Sequence, residues 1–196
     1  MKKILFSALT ACSLMSARAD LFQYTITFTS NGEANPSPAT GSGTADYDSA
    51  THLLSLQAVF AGLQGTTTAS HIHAATAVPL TGTAGVATTT PSLVGFPLGV
   101  TSGTFGPTSL DLLSASSYNP SYITAHGGTA ALAEVDFLAA IAAGKAYWNI
   151  HSTFGPGGEI RGFLVAVPEP SSVALLGLGA VGMAACAWRK RRANKS

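Results

Sequence analysis

Leu21-Phe22-Gln23-Tyr24-Thr25-Ile26-Thr27-Phe28-Thr29-Ser30 alternates without a break: Phe22, Tyr24, Ile26 and Phe28 fall on one side, Gln23, Thr25, Thr27 and Thr29 on the other. A period of two sorts residue types onto opposite faces of a strand, so this stretch reads as a half-buried β-strand. The theme recurs downstream between turn-forming segments. Asn31–Pro38 carries turn chemistry. Gly43–Tyr47 and Leu53–Phe60 flank Asp48-Ser49-Ala50-Thr51, which reads as a hairpin with a four-residue loop. Ala69–Ala74, Gly82–Thr90 and Val100–Phe105 are further strand candidates, and Ala146–His151 and Glu159–Val165 are two strands joined by the Gly/Pro-rich loop Phe154–Gly158. One helix is expected, Glu134–Ala143, packed through Val135, Leu138 and Ile141 and stopped at Gly144. Many short strands with frequent turns predict an all-β fold, an antiparallel β-sandwich or Greek-key barrel with one short helix.

Both ends of the chain read as targeting segments. Lys2 and Lys3 precede the mostly apolar Ile4–Met15, and Ala17-Arg18-Ala19 is an A-x-A cleavage pattern, so residues 1–19 read as a signal peptide and the mature chain starts at Asp20. Leu9-Thr10-Ala11-Cys12 also fits a lipobox, in which Cys12 would be lipidated instead. At the other end, Pro168-Glu169-Pro170 precedes the uncharged run Val173–Trp188 and then Arg189-Lys190-Arg191-Arg192. Counted from Ser171, the run just reaches the roughly 17–25 residues of a transmembrane helix, and the basic end favours a cytoplasmic C-terminus. The segment 20–167 is one domain in size. Its basic residues are Lys145 and Arg161, against eight acidic ones, a formal charge of −6. That balance argues against a nucleic-acid-binding patch. Cys12 and Cys186 both lie in the ends, so the body has neither a disulfide nor thiolate chemistry.

Two motifs carry the chemistry of the body: Ala69-Ser70-His71-Ile72-His73-Ala74-Ala75 and Gly144-Lys145-Ala146-Tyr147-Trp148-Asn149-Ile150-His151-Ser152-Thr153, the second followed by Gly157-Gly158-Glu159-Ile160-Arg161-Gly162. In a strand, His71 and His73 project from one face with their Cβ atoms roughly 6–7 Å apart. Two ring nitrogens at that spacing can reach one ion, and His151 offers a third. Three histidines suit zinc or copper. The same residues could instead form a structural hydrogen-bond network. His52, beside a turn, reads as exposed; His126, before Gly127-Gly128, reads as a solvated loop residue or a fourth ligand. Glu159 and Arg161 are two apart and so would share a face. Arg161 could bind an anion with Glu159 positioning it, or serve as a structural cation paired with a carboxylate or with loop carbonyls. Tyr147 and Trp148 point to opposite faces, one into the core and the other a candidate exposed platform, while Asn149 shares the face of Tyr147 and His151. No Gly-x-Ser-x-Gly elbow, phosphate loop or His-Glu-x-x-His occurs, and no catalytic residue is nominated.

The two motifs together resemble the CHRD domain, a module named from chordin, over about Leu21–Val165. The resemblance implies a secreted β-module and supplies no reaction. The His-x-His strand with a later Gly-rich, Arg-bearing segment is also similar to copper/zinc superoxide dismutase, a Greek-key barrel. A superoxide-dismutase-like or immunoglobulin-like frame is therefore expected. That enzyme's activity is not carried over, because no cysteine stands for its intrachain disulfide and no further ligand motif matches. The tail Pro168–Arg192 resembles the PEP-CTERM sorting signal. This implies exosortase as processing partner, export from a Gram-negative bacterium, transient inner-membrane anchoring through the C-terminal helix, and a final place at the cell surface or outside it.

The function expected from these readings is a non-catalytic, exported β-domain acting by binding or structural packing. Extracellular polysaccharide or other surface proteins would be its partners, and nucleic acid would not. The alternative is a metal-binding or redox protein that holds copper or zinc through His71, His73 and His151. With unperturbed imidazoles, that affinity would fall below about pH 6.5. For the tail, changing Pro168-Glu169-Pro170 to alanines is expected to leave an uncut, membrane-retained form in a host carrying the processing enzyme. Intact-mass measurement of the unaltered protein should show Val173–Ser196 removed; a mass that still includes Arg189–Ser196 would contradict the processing reading.

Overall fold

Burial follows the alternation from Tyr24 onward: Tyr24, Ile26 and Phe28 are buried while Thr25 and Thr27 face out, and Phe22, expected on the buried side, is exposed near the strand's start. The computed structural model describes residues 20–168. The signal-peptide and lipobox readings, Glu169, Pro170, the apolar run and the basic end lie outside the described residues. The strands are β1 (Leu21–Phe28), β2 (Thr40–Asp48), β3 (Leu53–Ala61), β4 (Thr67–His73), β5 (Gly103–Asp111), β6 (Tyr147–Ser152), β7 (Ile160–Phe163) and β8 (Val165–Ala166). They form a five-stranded sheet in the order β5-β3-β2-β1-β8 and a three-stranded sheet in the order β4-β6-β7. Every paired neighbour is antiparallel. The fold is an all-β sandwich.

The two sheets meet on aromatic side chains. Trp148, fully buried, takes the edges of Phe28 at 5.5 Å and Phe105 at 5.9 Å between ring centroids. Such edge-to-face pairs are worth about 0.5–1.5 kcal/mol beyond the area they bury. Its indole N–H donates to Ser70 Oγ at 2.7 Å, so the large ring carries no orphaned donor into the core. One edge of the sandwich is stitched by backbone: Thr29 N–H donates to the Arg161 carbonyl (3.0 Å), and Arg161 N–H returns the bond to Thr29 (2.8 Å). Gly162 makes this approach possible, since a Cβ there would run into the Thr27 carbonyl and lie 2.6 Å from Ile26 Cγ2.

Two strand expectations are corrected. Gly82–Thr90 is a loop with isolated bridges from Val86 to His73 and from Thr88 to Tyr118. Its amides at Ala87 and Thr88 both bond to the Ile72 carbonyl, so it covers the free edge of β4 without continuing as a ladder. Val100–Phe105 only enters a strand at Gly103, and β5 runs on to Asp111.

The helical region also differs. A short helix, α1 (Pro120–Ala125), precedes the expected one, capped by Asn119. The expected helix, α2 (Ala130–Ala142), starts four residues earlier than its apolar stripe suggests, because Thr129 caps it by accepting from Leu132 N–H and Ala130-Ala131 are strong helix formers. Its buried face is Ala133, Glu134, Phe137, Ala140 and Ile141, whereas Val135 is 62% exposed. Phe137 sets this rotation by seating edge-on against Tyr118 and Tyr122. The turn that brings Phe137 inward also buries the Glu134 carboxylate, which accepts from the Tyr47 hydroxyl (2.8 Å) and contacts His52 Nδ1 (2.8 Å). His52 is therefore a half-buried partner of α2 rather than a free surface residue. Among the described residues no helix is long and apolar enough to cross a membrane.

Phe137→Ala is expected to cost about 3–5 kcal/mol of stability, the range for a buried aromatic. Val135→Ala should stay within about 0.5 kcal/mol, as exposed substitutions do. Urea denaturation of both variants checks this; equal losses would mean that α2 packs through Val135 after all.

Candidate metal centre

β4 and β6 pair with His73 opposite Tyr147, His71 opposite Asn149 and Ala69 opposite His151. Residues directly opposite share a face, so His71, His73, Tyr147, Asn149 and His151 all project from the side of the small sheet that faces away from Trp148. That side is not open to water. The three histidines are 7–8% exposed.

Each imidazole is held the same way. His71 Nδ1 bonds to the Pro91 carbonyl (3.1 Å), His73 Nδ1 to the Ala84 carbonyl (2.8 Å) and His151 Nδ1 to the Pro156 carbonyl (2.9 Å). A carbonyl can only accept, so each Nδ1 carries the hydrogen and each neutral ring turns a bare Nε2 inward; the tautomer is assigned from these bonds. The Nε2 atoms of His71 and His151 stand 2.9 Å apart. His73 Nε2 is buried with no partner. One ligand atom from each residue lies within 4.8 Å of the others. Three lone pairs thus face one small volume.

The rings are held neutral. Burial pushes His71 and His73 down to about 4. For His71 the neighbouring imidazoles of His151 and His73 add to the effect, and the bond to Pro91 partly opposes it. For His73 the bond to Ala84 opposes burial, while His151 and Arg161 reinforce it. His151 is lowered as well, by burial against the pull of its Pro156 bond.

The other expected site residues surround this cluster in distinct roles. Tyr147 is 2% exposed, so it is no platform: it stacks on His73 at 4.6 Å and 3°, with Arg161 Cζ 4.9 Å from its ring centroid. Arg161 donates to the carbonyls of Gly82 (3.0 Å), Asn31 (3.4 Å) and Gly32, and its Nε lies 3.4 Å from Glu33 Oε1. Its carboxylate neighbour is therefore Glu33, not Glu159. β7 begins only at Ile160, so Glu159 is off the strand and its side chain turns away. The Glu159 carboxylate accepts from Ser37 Oγ, Ser152 Oγ and the amides of Gln64 and Gly65. Burial raises its pKa, but these bonds more than offset the rise and hold it below the usual carboxylate range. Glu33 goes the other way: burial raises it and Arg161 pulls it back only in part. Asn149 donates to the Gly157 carbonyl at 3.4 Å, leaving Oδ1 buried without a partner. His126 stacks on Tyr122 and bonds Asp136, outside the cluster of three.

Sequence reasoning missed Glu33 and the carbonyls of Ala84, Pro91 and Pro156. A backbone carbonyl has no signature in a sequence. Glu33 had one faint signal, since a body with so few cations leaves few explanations for a buried arginine.

The histidine shifts fix the sign of a pH effect on the metal-free protein. Above about pH 6.5 the imidazoles are neutral in both folded and unfolded chains. Between about 6.5 and 4 the unfolded chain takes up protons at His71 and His73 that the folded one refuses, so stability falls as pH drops through that window. Glu33, raised by burial, opposes this only near the carboxylate range. Denaturation midpoints in chelator should decline from pH 7 to pH 4.5; a flat profile would contradict the buried, neutral cluster.

The CHRD domain family matches residues 24–164, and the PEP-CTERM protein-sorting motif matches residues 166–192. No curated protein and no solved structure matches the chain. The sorting motif implies export and exosortase processing, with transient anchoring in the membrane of a Gram-negative bacterium. The His-x-His strand and the Asn-Ile-His strand that meet in the cluster both fall inside the first match, and the chain belongs to the CHRD domain family.

Proposed function

We propose that the exported domain is a metal-binding module in which Nε2 of His71, His73 and His151 together hold one zinc or copper ion. The observation that carries this reading is the set of three fixed tautomers. All three Nδ1–H groups are committed to carbonyls, and two bare Nε2 atoms lie 2.9 Å apart. Facing lone pairs at that distance repel unless a cation lies between them. A shared proton is the competing cation, and the burial of both rings works against it. Zinc–nitrogen bonds of about 2.0–2.1 Å at a tetrahedral angle put ligand nitrogens roughly 3.3 Å apart, between the 2.9 Å of the His71–His151 pair and the 4.8 Å that bounds the set of three. Histidine ligands ordinarily give their second nitrogen to a carbonyl or carboxylate, which orients the ring. The three loop carbonyls supply that support.

Three neutral ligands leave a fourth position to water or a small ligand, the pattern of an open site. The reading remains one of binding, since neither a nucleophile–base pair nor a carboxylate pair lies among the described groups around the cluster. A second reading, contact with uncharged extracellular polymer, draws its support from the outer face of the large sheet. A shallow trough of about 530 Å³ on the outer face of the five-stranded sheet is lined by Thr25, Thr27, Ser42, Thr44 and Gln57, which offer hydroxyls and an amide without charge.

Calorimetric titration of protein purified without a histidine tag should give about one equivalent of zinc or copper. His71→Ala and His73→Ala should abolish binding, and His126→Ala should not. Because burial lowers the competing proton affinity, binding should persist well below pH 6.5 and weaken only as pH approaches about 4. Absence of stoichiometric uptake at pH 7 would leave the histidines as a structural network.

A further inference from the structure

α2 carries apolar side chains on both sides. Ala133, Phe137, Ala140 and Ile141 face the core, while Leu132 is 51% and Val135 62% exposed, with Leu138 half-buried in the same i, i+3, i+6 stripe. Asp136 is the one outward charge on the helix. A helix that lies on a protein with its outer side in water is polar on that side; this one is not.

The stripe leads to the point where the chain leaves the domain. The C-terminal end of α2 shares a groove of about 280 Å³ with Leu80, Leu164, Val165 and Ala166. Leu80 is 58% exposed and sits at φ 59°, with its amide bonded to the Gly144 carbonyl. A leucine in the left-handed region is uncommon, and such outliers cluster where function requires them. Here the conformation turns an apolar side chain towards solvent. Val165 and Val167 are 48% and 40% exposed. Val167 N–H donates to the Gln23 carbonyl in the last ladder bond before Pro168.

The length of chain beyond that bond limits where this end can be. The uncharged run starts at Val173, six residues after Val167. At about 3.3–3.6 Å per residue it begins within roughly 20 Å of the domain. While the sorting tail is anchored, the α2 end of the body is therefore held next to lipid. We infer that the outward stripe of α2, with Leu80, Val165 and Val167, is a bilayer-seating surface on which the uncut protein rests. The tether supplies a high local concentration, so a contact too weak to hold a free domain suffices. Seating fixes the start of Pro168-Glu169-Pro170 at the membrane surface, and loss of the tail releases the domain. Asp136 beside the stripe, in a body of net negative charge, favours zwitterionic over anionic lipid. This inference is independent of the metal reading.

The test uses uncut chain from an exporting host without the processing enzyme, with Cys12→Ser and Cys186→Ser. A single dye is placed by Leu80→Cys, Val135→Cys or Thr101→Cys; Thr101 lies by the start of β5, at the opposite end of the five-stranded sheet. In zwitterionic lipid discs containing brominated lipid, the dyes at 80 and 135 should be quenched at least two-fold more than the dye at 101. Leu132→Asp together with Val135→Asp should remove the excess at 80 while the tail stays resistant to carbonate extraction. Equal quenching at all three positions with the tail inserted would overturn the inference. So would energy transfer between copies labelled at 80 without lipid quenching, which would make a second copy the occupant of the face.

Discussion

β6 is buried on both faces, and the rest of the domain answers to that constraint. A strand in an antiparallel sandwich commonly turns one face to water. Here the inner face gives Trp148 and Ile150 to the core, and the outer face gives Tyr147, Asn149 and His151 to a second, polar layer roofed by loops. A polar group placed under such a roof must find a partner or carry a desolvation penalty. The roof supplies partners from its own backbone: the carbonyls of Ala84, Pro91 and Pro156 to the imidazoles, and those of Asn31, Gly32 and Gly82 to the guanidinium. The loops are ordered by the side chains they cover, and those side chains are oriented by the loops.

Arg161 is one of two cations in the body and the only one in this layer. A buried ion pair is weak grounds for net stability, because desolvation consumes most of the attraction. Its effect here is geometric. The three nitrogens of its rigid fork reach carbonyls from two separate loops, with Nε also beside the Glu33 carboxylate, which registers those loops against β7. Its charge, transmitted past Tyr147, also helps keep His73 unprotonated. Neutral imidazoles with their lone pairs converging are the ligand form of histidine. Burial, joined at His73 by the cation, keeps the rings neutral against the opposing pull of the carbonyl bonds, and those bonds set which nitrogen is bare.

Glu159 and Glu134 show how acids are used at the other seams. Glu159, fully buried, joins Ser37, Gln64, Gly65 and Ser152, so one carboxylate ties three separate segments. Glu134 ties α2 to the β2–β3 hairpin through Tyr47 and His52. With Phe137 it fixes which side of the helix faces inward, and that choice leaves Leu132 and Val135 outside.

The sequence by itself determined the strand-rich class, the alternation of β1 and β3, the sorting motif at the C-terminal end, and the sharing of a face by His71 and His73. These depend on local period and local composition, which neighbouring residues carry. Tertiary structure alone decided that His151 reaches the other two histidines, that Arg161 pairs with Glu33 and not Glu159, that Gly82–Thr90 is a covering loop, and that α2 turns Phe137 rather than Val135 inward. Each of those depends on a contact between residues far apart in the chain. A period of two says which side a residue faces, but not whether that side is roofed. That is why the pattern indicated a pair of histidines on a strand, and only the packed loops make their rings neutral, oriented and convergent.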